Sequence, residues 1–133
     1  MIIKIIGKFP SLNDIIQADR THWQMGAKLK AKATGEIGCQ VLSVNKIDNP
    51  IWVNFTYYLP KTDRRDPDNI AAGFHKFFFD ALQERNKIKN DSRKEIIGFS
   101  DSFEIGNDWM TVVELSDVRV LPAHYQLPNQ VDI

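Results

Sequence analysis

Two aspartates stand two residues apart at the mouth of an apolar, helix-patterned run. The stretch KTDRRDPDNIAAGFHKFFFDAL, residues 61–82, sets Asp66 and Asp68 on either side of Pro67, directly behind Arg64 and Arg65. In an extended segment, residues two apart point to the same side, and Pro67 stiffens the pair by fixing its own φ near about −65°. Two converging carboxylates repel, so one takes up a proton unless a cation lies between them. A hard divalent ion, Mg²⁺ or else Mn²⁺, is the natural neutraliser, because it prefers oxygen ligands and keeps waters that substrate phosphates can replace. The same residues also read as a surface turn followed by a helix cap from Asp68 or Asn69. A D-x-D pair alone does not decide between the two.

Other residue types bear on the choice. Lys76 follows Asp68 by two helical turns, and helical side chains lean toward the N-terminus, so its ammonium is expected near the helix mouth. There it would stabilise charge developing on a phosphate; taken alone it is a solvated lysine on a polar face. His75 beside it reads as an incidental polar residue. Asp91, in the loop KNDSRK, is a third carboxylate able to fold back toward the first two.

The rest of the chain must position these groups. At 133 residues, 43% hydrophobic and 26% charged, it has the make-up of one ordinary globular domain with a real core. No apolar run approaches the roughly 20 residues of a membrane span. MIIKIIGKFP is short and carries lysines, so it is expected to be a first strand and not a signal peptide. The single cysteine, Cys39, excludes an internal disulfide and fits a reducing cytoplasm.

Residues 2–7 and 51–60 read as strands, as do 95–99 and 109–115, the last two joined by a Gly-Asn-Asp turn. Behind Ser11 or Asn13 as N-cap, Ile15, Ala18, His22, Met25 and Leu29 recur at helical spacing. They predict one long helix, broken near Thr34-Gly35 and ending before Asp48. A second helix buries Ile70, Phe74, Phe77, Phe78, Ala81 and Leu82. The expected architecture is α/β (α+β): a single domain over 1–118 in the order β-α-β-α-β-β, its mixed sheet packed against two helices, with a loosely structured tail at 119–133.

The formal net charge is zero, yet it is unevenly spread. Residues 1–35 carry six Lys/Arg against two Asp/Glu and residues 61–94 nine against six, whereas residues 95–133 carry one against seven. Lysines at 28, 30, 32, 87, 89 and 94, with Arg64 and Arg65, are candidates for phosphate contacts that position a duplex without reading its sequence.

Taken together, RRDPDN (64–69), KFFFDAL (76–82), Asn90-Asp91 with a following lysine, and PSLNDII near the N-terminus resemble the RusA-type Holliday-junction resolvases. These are crossover-junction endodeoxyribonucleases frequent in phage and prophage genomes. The resemblance covers roughly residues 2–117, with the motifs in the family's order. It implies a metal-dependent endodeoxyribonuclease that acts as a homodimer and cuts branched DNA at four-way junctions. It further implies that Asp66, Asp68 and Asp91 bind Mg²⁺ or Mn²⁺, that Lys76 is catalytic with them, and that Arg65 contributes to activity or DNA binding; Arg64, Asn69 and Lys94 are further DNA-binding candidates. Two features depart from the family's best-known form: the stretch from Asp68 to Lys76 is about one helical turn longer, and Asn90 stands where an aspartate is usual. A non-catalytic module of the same fold, holding branched DNA without cutting it, is the alternative.

Overall fold

The computed structural model describes residues 1–118; the expected tail at 119–133 lies outside the described residues. In chain order the elements are β1 (Ile2–Ile6), α1 (Leu12–Thr21), α2 (Met25–Gln40), β2 (Ile51–Leu59), α3 (Pro67–Glu84), β3 (Ile96–Ile105) and β4 (Met110–Asp117). The strands form one mixed sheet in the order β1-β4-β2-β3. β4 runs antiparallel to both β1 and β2, and β3 runs parallel to β2. The α+β class expected from the sequence is therefore the observed one, with three helices in place of two.

The additional helix comes from a break that the hydrophobic spacing conceals. α1 ends at His22 and α2 begins at Met25, so the chain turns between them and runs unbroken through Thr34-Gly35, where the interruption was expected. α2 then stops at Gln40, well short of Asp48. Gly26 lies against the last turn of α1, where a Cβ would meet the Asp19 carboxylate at 1.9 Å and oblige that side chain to move. His22, Met25 and Leu29 keep helical spacing across the break, and spacing was the only signal available. The start of α1 matches expectation. Ser11 is its N-cap, and Ser11 and Asp14 exchange the reciprocal bonds of a capping box, a device that contributes about 1 kcal/mol.

β2 is the hub. Its aromatic and β-branched residues pair with β3 along one edge and β4 along the other. β3 and β4 follow one another in sequence, yet β2 lies between them. Their connection crosses the end of β2, where Gly106 N–H donates to the Leu59 carbonyl at 2.9 Å. Ile5, Val53, Phe55, Tyr57 and Val113 line the face under the helices and are essentially fully buried, whereas Ile2 and Ile6 on the opposite face are exposed.

The β2–α3–β3 unit is a parallel pair bridged by a crossover helix. All six residues expected to face inward from α3 are buried. Phe55 of β2 meets Phe74 and Phe78 edge-on, with ring centroids 5.8 and 5.6 Å apart. Each ring removed from water in this way contributes about 1.5–3 kcal/mol, which fixes α3 against the sheet. Its far end closes with Asn86 at a left-handed φ of 58°, while the N–H groups of Asn86 and Lys87 donate back to the carbonyls of Gln83 and Leu82. This is the Schellman pattern, with asparagine standing in for glycine.

Gly73 marks where α3 touches the segment before α1: a Cβ added there would sit 2.7 Å from the Pro10 carbonyl oxygen. Alanine is the better helix former by about 1 kcal/mol, so an open site would gain stability from Gly73→Ala. Here the neighbour is backbone and cannot swing aside. The substitution is expected to destabilise the protein by about 1–3 kcal/mol, measured as a lower midpoint in urea denaturation with an unchanged slope.

Candidate active site

The path into α3 is set by Asp63 and Arg65. After β2 the chain turns at Pro60, whose carbonyl accepts from Asp63 N–H. The Asp63 side chain is 1% exposed. It accepts from the Arg65 backbone N–H (3.1 Å), from Arg65 Nε (3.0 Å) and Nη2 (2.7 Å), and from Trp109 Nε1 (2.9 Å). Arg65 Nη1 donates to the Phe9 carbonyl at 2.6 Å and lies 3.6 Å from Asp14 Oδ2. One guanidinium thus ties together the segment before α1, the cap of α1 and the loop leading to α3. The hydrogen bonds from Arg65 hold the Asp63 carboxyl far below the usual carboxylate range against the opposing effect of burial, with help from Trp109. Arg65 was expected at a DNA surface; its donors are engaged inside the chain.

Beyond this clamp the candidate carboxylates begin. Asp66 is the N-cap residue of α3, with Pro67 in the first helical turn, so the cap falls neither on Asp68 nor on Asn69. Its backbone is extended and its side chain makes no capping bond. Asp68 follows in the first turn and accepts only from Asn69 N–H, at 3.0 Å. Asp91 lies on the loop between α3 and β3, where its backbone N–H bonds to Asn90 Oδ1. Asp66, Asp68 and Asp91 are all exposed. Among the described residues none of the three pairs with a lysine or arginine, whereas Asp14, Asp63 and Asp80 all do. Arg64 and Lys94 are also exposed, while Asn69 is partly buried.

Asp68, Ala72, Lys76 and Asp80 succeed each other at four-residue steps and share one face of α3. Lys76 Nζ lies 3.3 Å from Asp80 Oδ1, and the side chain is 61% exposed. It therefore reaches toward the following turn instead of the helix mouth, which at 1.5 Å per residue lies about 12 Å back at Asp68. Between this face and β3 opens a cavity of about 350 Å³, lined by His75, Lys76, Phe79, Asp91, Arg93 and Phe99 among others. Ala72, one turn beyond Asp68, also lines it. The structure thus gathers Lys76 and Asp91 at one cavity, while Asp66 and Asp68 stand at the start of α3 and are not part of its lining. A larger hollow of about 550 Å³, beside Met1 and Asp117, holds none of these residues.

His75 and its partners were not foreseen. His75 Nε2 lies 2.7 Å from Asp101 Oδ1, and the Tyr57 hydroxyl donates to the same oxygen at 2.8 Å. Burial pushes the Tyr57 phenol far above its ordinary range, and the bond to Asp101 and its charge push it in the same direction. The imidazole is flanked by the rings of Phe55 and Phe99, at 4.6 and 4.3 Å. The parallel register that sets Asp101 beside Phe55 makes this contact, and no local motif announces it.

In kind, the donors suit the divalent ion that the resemblance implies: Asp66, Asp68 and Asp91 offer oxygens that the protein leaves largely unused. Mg²⁺ commonly takes only one or two carboxylates and completes its shell with water and substrate phosphate. In arrangement, no three His, Cys, Asp or Glu side chains among the described residues gather closely enough to hold an ion by themselves. No family model matches the chain, and a search of curated proteins likewise finds no match.

The Asp63–Arg65 clamp makes a stability prediction. Asp63→Asn removes one partner of a buried ion pair, and at pH 7 it is expected to cost about 3 kcal/mol. Because the folded-state pKa of Asp63 is depressed, its contribution is complete above the unfolded carboxylate value of about 3.9 and is lost as pH falls below that value. Urea denaturation of both proteins at pH 7 and pH 3 should therefore show a wide gap that narrows in acid.

Proposed function

We propose that this chain is a Mg²⁺-dependent, structure-selective DNA endonuclease that resolves four-way junctions by paired phosphodiester hydrolysis. The observation that supports it best is the exposed, unpaired carboxylates of Asp66 and Asp68 at the mouth of α3, together with a cavity along α3 that Lys76 and Asp91 both line. The order of the motifs, which resembles that of RusA-type resolvases, supports the same reading. Asp66, Asp68 and Asp91 would hold Mg²⁺, or Mn²⁺ in its place; the bound ion supplies Lewis-acid polarisation of the scissile phosphate and an activated water.

The chain's own residues do the rest. Lys76 leaves its exposed pairing with Asp80, a contact of the kind that contributes only about 0.3–0.5 kcal/mol, and turns its ammonium to the phosphate, where it stabilises the added negative charge. Arg64 and Lys94, on the two sides of the site, neutralise flanking phosphates and hold the arms by charge and not by sequence. Asn69 offers an amide beside them. Arg65 acts from within by fixing the loop that delivers Asp66. A homodimer working in the cytoplasm would bring two such sites to the two strands that are cut symmetrically. Among the described residues no helix is long and apolar enough to cross a membrane, in keeping with a DNA partner.

A second reading, a module that binds branched DNA without cutting it, draws support from the pairing of Lys76 with Asp80, which turns the lysine away from the mouth of α3. One experiment separates the two: a labelled four-way junction and a linear duplex incubated with the protein in Mg²⁺ and in EDTA. Symmetric nicking of the junction is expected in Mg²⁺ only. Asp66→Asn and Asp68→Asn should each lower the rate by about a hundredfold or more while changing stability by less than about 0.5 kcal/mol. Retention of the junction without nicking would favour the binding module.

A further inference from the structure

We propose that the cavity between α3 and β3 receives one unstacked nucleotide of a DNA strand, with its base on Phe99 and its phosphate on Arg93 and Lys76. This rests on the DNA reading above and adds to it the feature of branched DNA that the site would detect.

Phe99 carries the argument. It is 48% exposed although it belongs to a strand. Its ring is nevertheless braced: His75 lies 4.3 Å from it and Phe79 6.3 Å, centroid to centroid. His75 is fixed in turn by Asp101 and by the Phe55 ring, and Asp101 by the hydroxyl of the buried Tyr57. A ring held from behind and open in front is a stacking platform, and base–aromatic stacking tolerates any base. The cavity's volume of about 350 Å³ lies within the range of small-molecule sites.

Charge complements shape. Arg93 lines the cavity and makes no hydrogen bond or ion pair among the described residues, which leaves its guanidinium free for a phosphate. Lys76 lines it too and is held only by an exposed pair. Asp91 is the one carboxylate in the lining, and it is the residue assigned above to the cation. A paired base inside a duplex cannot present its face to Phe99; a base at a branch point, already partly unstacked, does so at least cost.

The test uses the full chain in EDTA, where binding proceeds without cleavage, and a four-way junction with 2-aminopurine at the branch point. Wild type is expected to raise the emission severalfold as the base leaves its stack, and Phe99→Tyr, which keeps the ring, should do the same. Phe99→Ala should lose the rise and bind about tenfold more weakly, the size of one stacking contact, with its melting temperature checked first. Should Phe99→Ala fail to fold, Arg93→Gln decides: weaker binding, with the same emission change in the bound complex, supports the cavity. Junction binding without an emission change, or Phe99→Ala matching Phe99→Tyr, overturns the nucleotide site and leaves the endonuclease reading intact. If wild type binds neither the junction nor a single strand of the same sequence, both fall.

Discussion

The placement of the carboxylates depends on one buried ion pair. Asp63 and Arg65 lie between the last residue of β2 and the first of α3, and their shared hydrogen bonds hold that connection in a single conformation. The pair also reaches outward, through Phe9 and Asp14 to the start of α1 and through Trp109 to the start of β4. An ion pair out of water is costly unless its donors and acceptors are satisfied. Here the carboxylate accepts from backbone, guanidinium and indole together, so the desolvation is offset where it is incurred. Three segments distant in sequence converge on it, and the mouth of α3 is held in place by all three.

Rigidity on the buried side of α3 fixes where the residues of its exposed side stand. Phe74 and Phe78 lock the helix to Phe55 and Tyr57 of the sheet, and the Schellman closure at Asn86 sets where the following loop departs. That loop returns Asp91 and Arg93 alongside the helix it has just left. A βαβ unit does this through its topology: β3 must run parallel to β2, so α3 crosses back along the sheet and the connection after it enters β3 beside the start of β2, where Ile51 pairs with Ile96.

Much of this was legible in the chain, for reasons that can be named. β2 and α3 were readable because their patterns are strong and local: a run of aromatic and β-branched residues in one, phenylalanines at helical spacing in the other. The capping box at Ser11 and Asp14 was readable in part, because Ser11 stood out as a cap candidate. The break after Thr21 was not, since the apolar spacing continues through it and the approach of Gly26 to Asp19 belongs to the packed hairpin. The internal role of Arg65 was hidden in the same way. An arginine before two aspartates looks exposed until Asp63, two residues earlier, is known to be buried. The bond between His75 and Asp101 joins residues 26 apart through strand register, a quantity that no spacing rule supplies.

The two aspartates at the mouth of α3 can now be weighed without a ligand. A pair of like charges about 4 Å apart near a solvated surface repels by about 1 kcal/mol when water screens it fully, and by more where screening is weaker. A helix N-terminus favours a nearby carboxylate by about 0.3–1 kcal/mol, and Asp66 and Asp68 both sit there. The helix end thus offsets part of any repulsion between them. This explains why the fold can keep both groups exposed and unpaired, and why neither is buried or bridged to Arg65, which is already committed to Asp63. The protein thus leaves two acidic oxygen sets at a positive helix end and spends its nearest arginine elsewhere. The field of the helix end, and not a side-chain cation, is what offsets their charge.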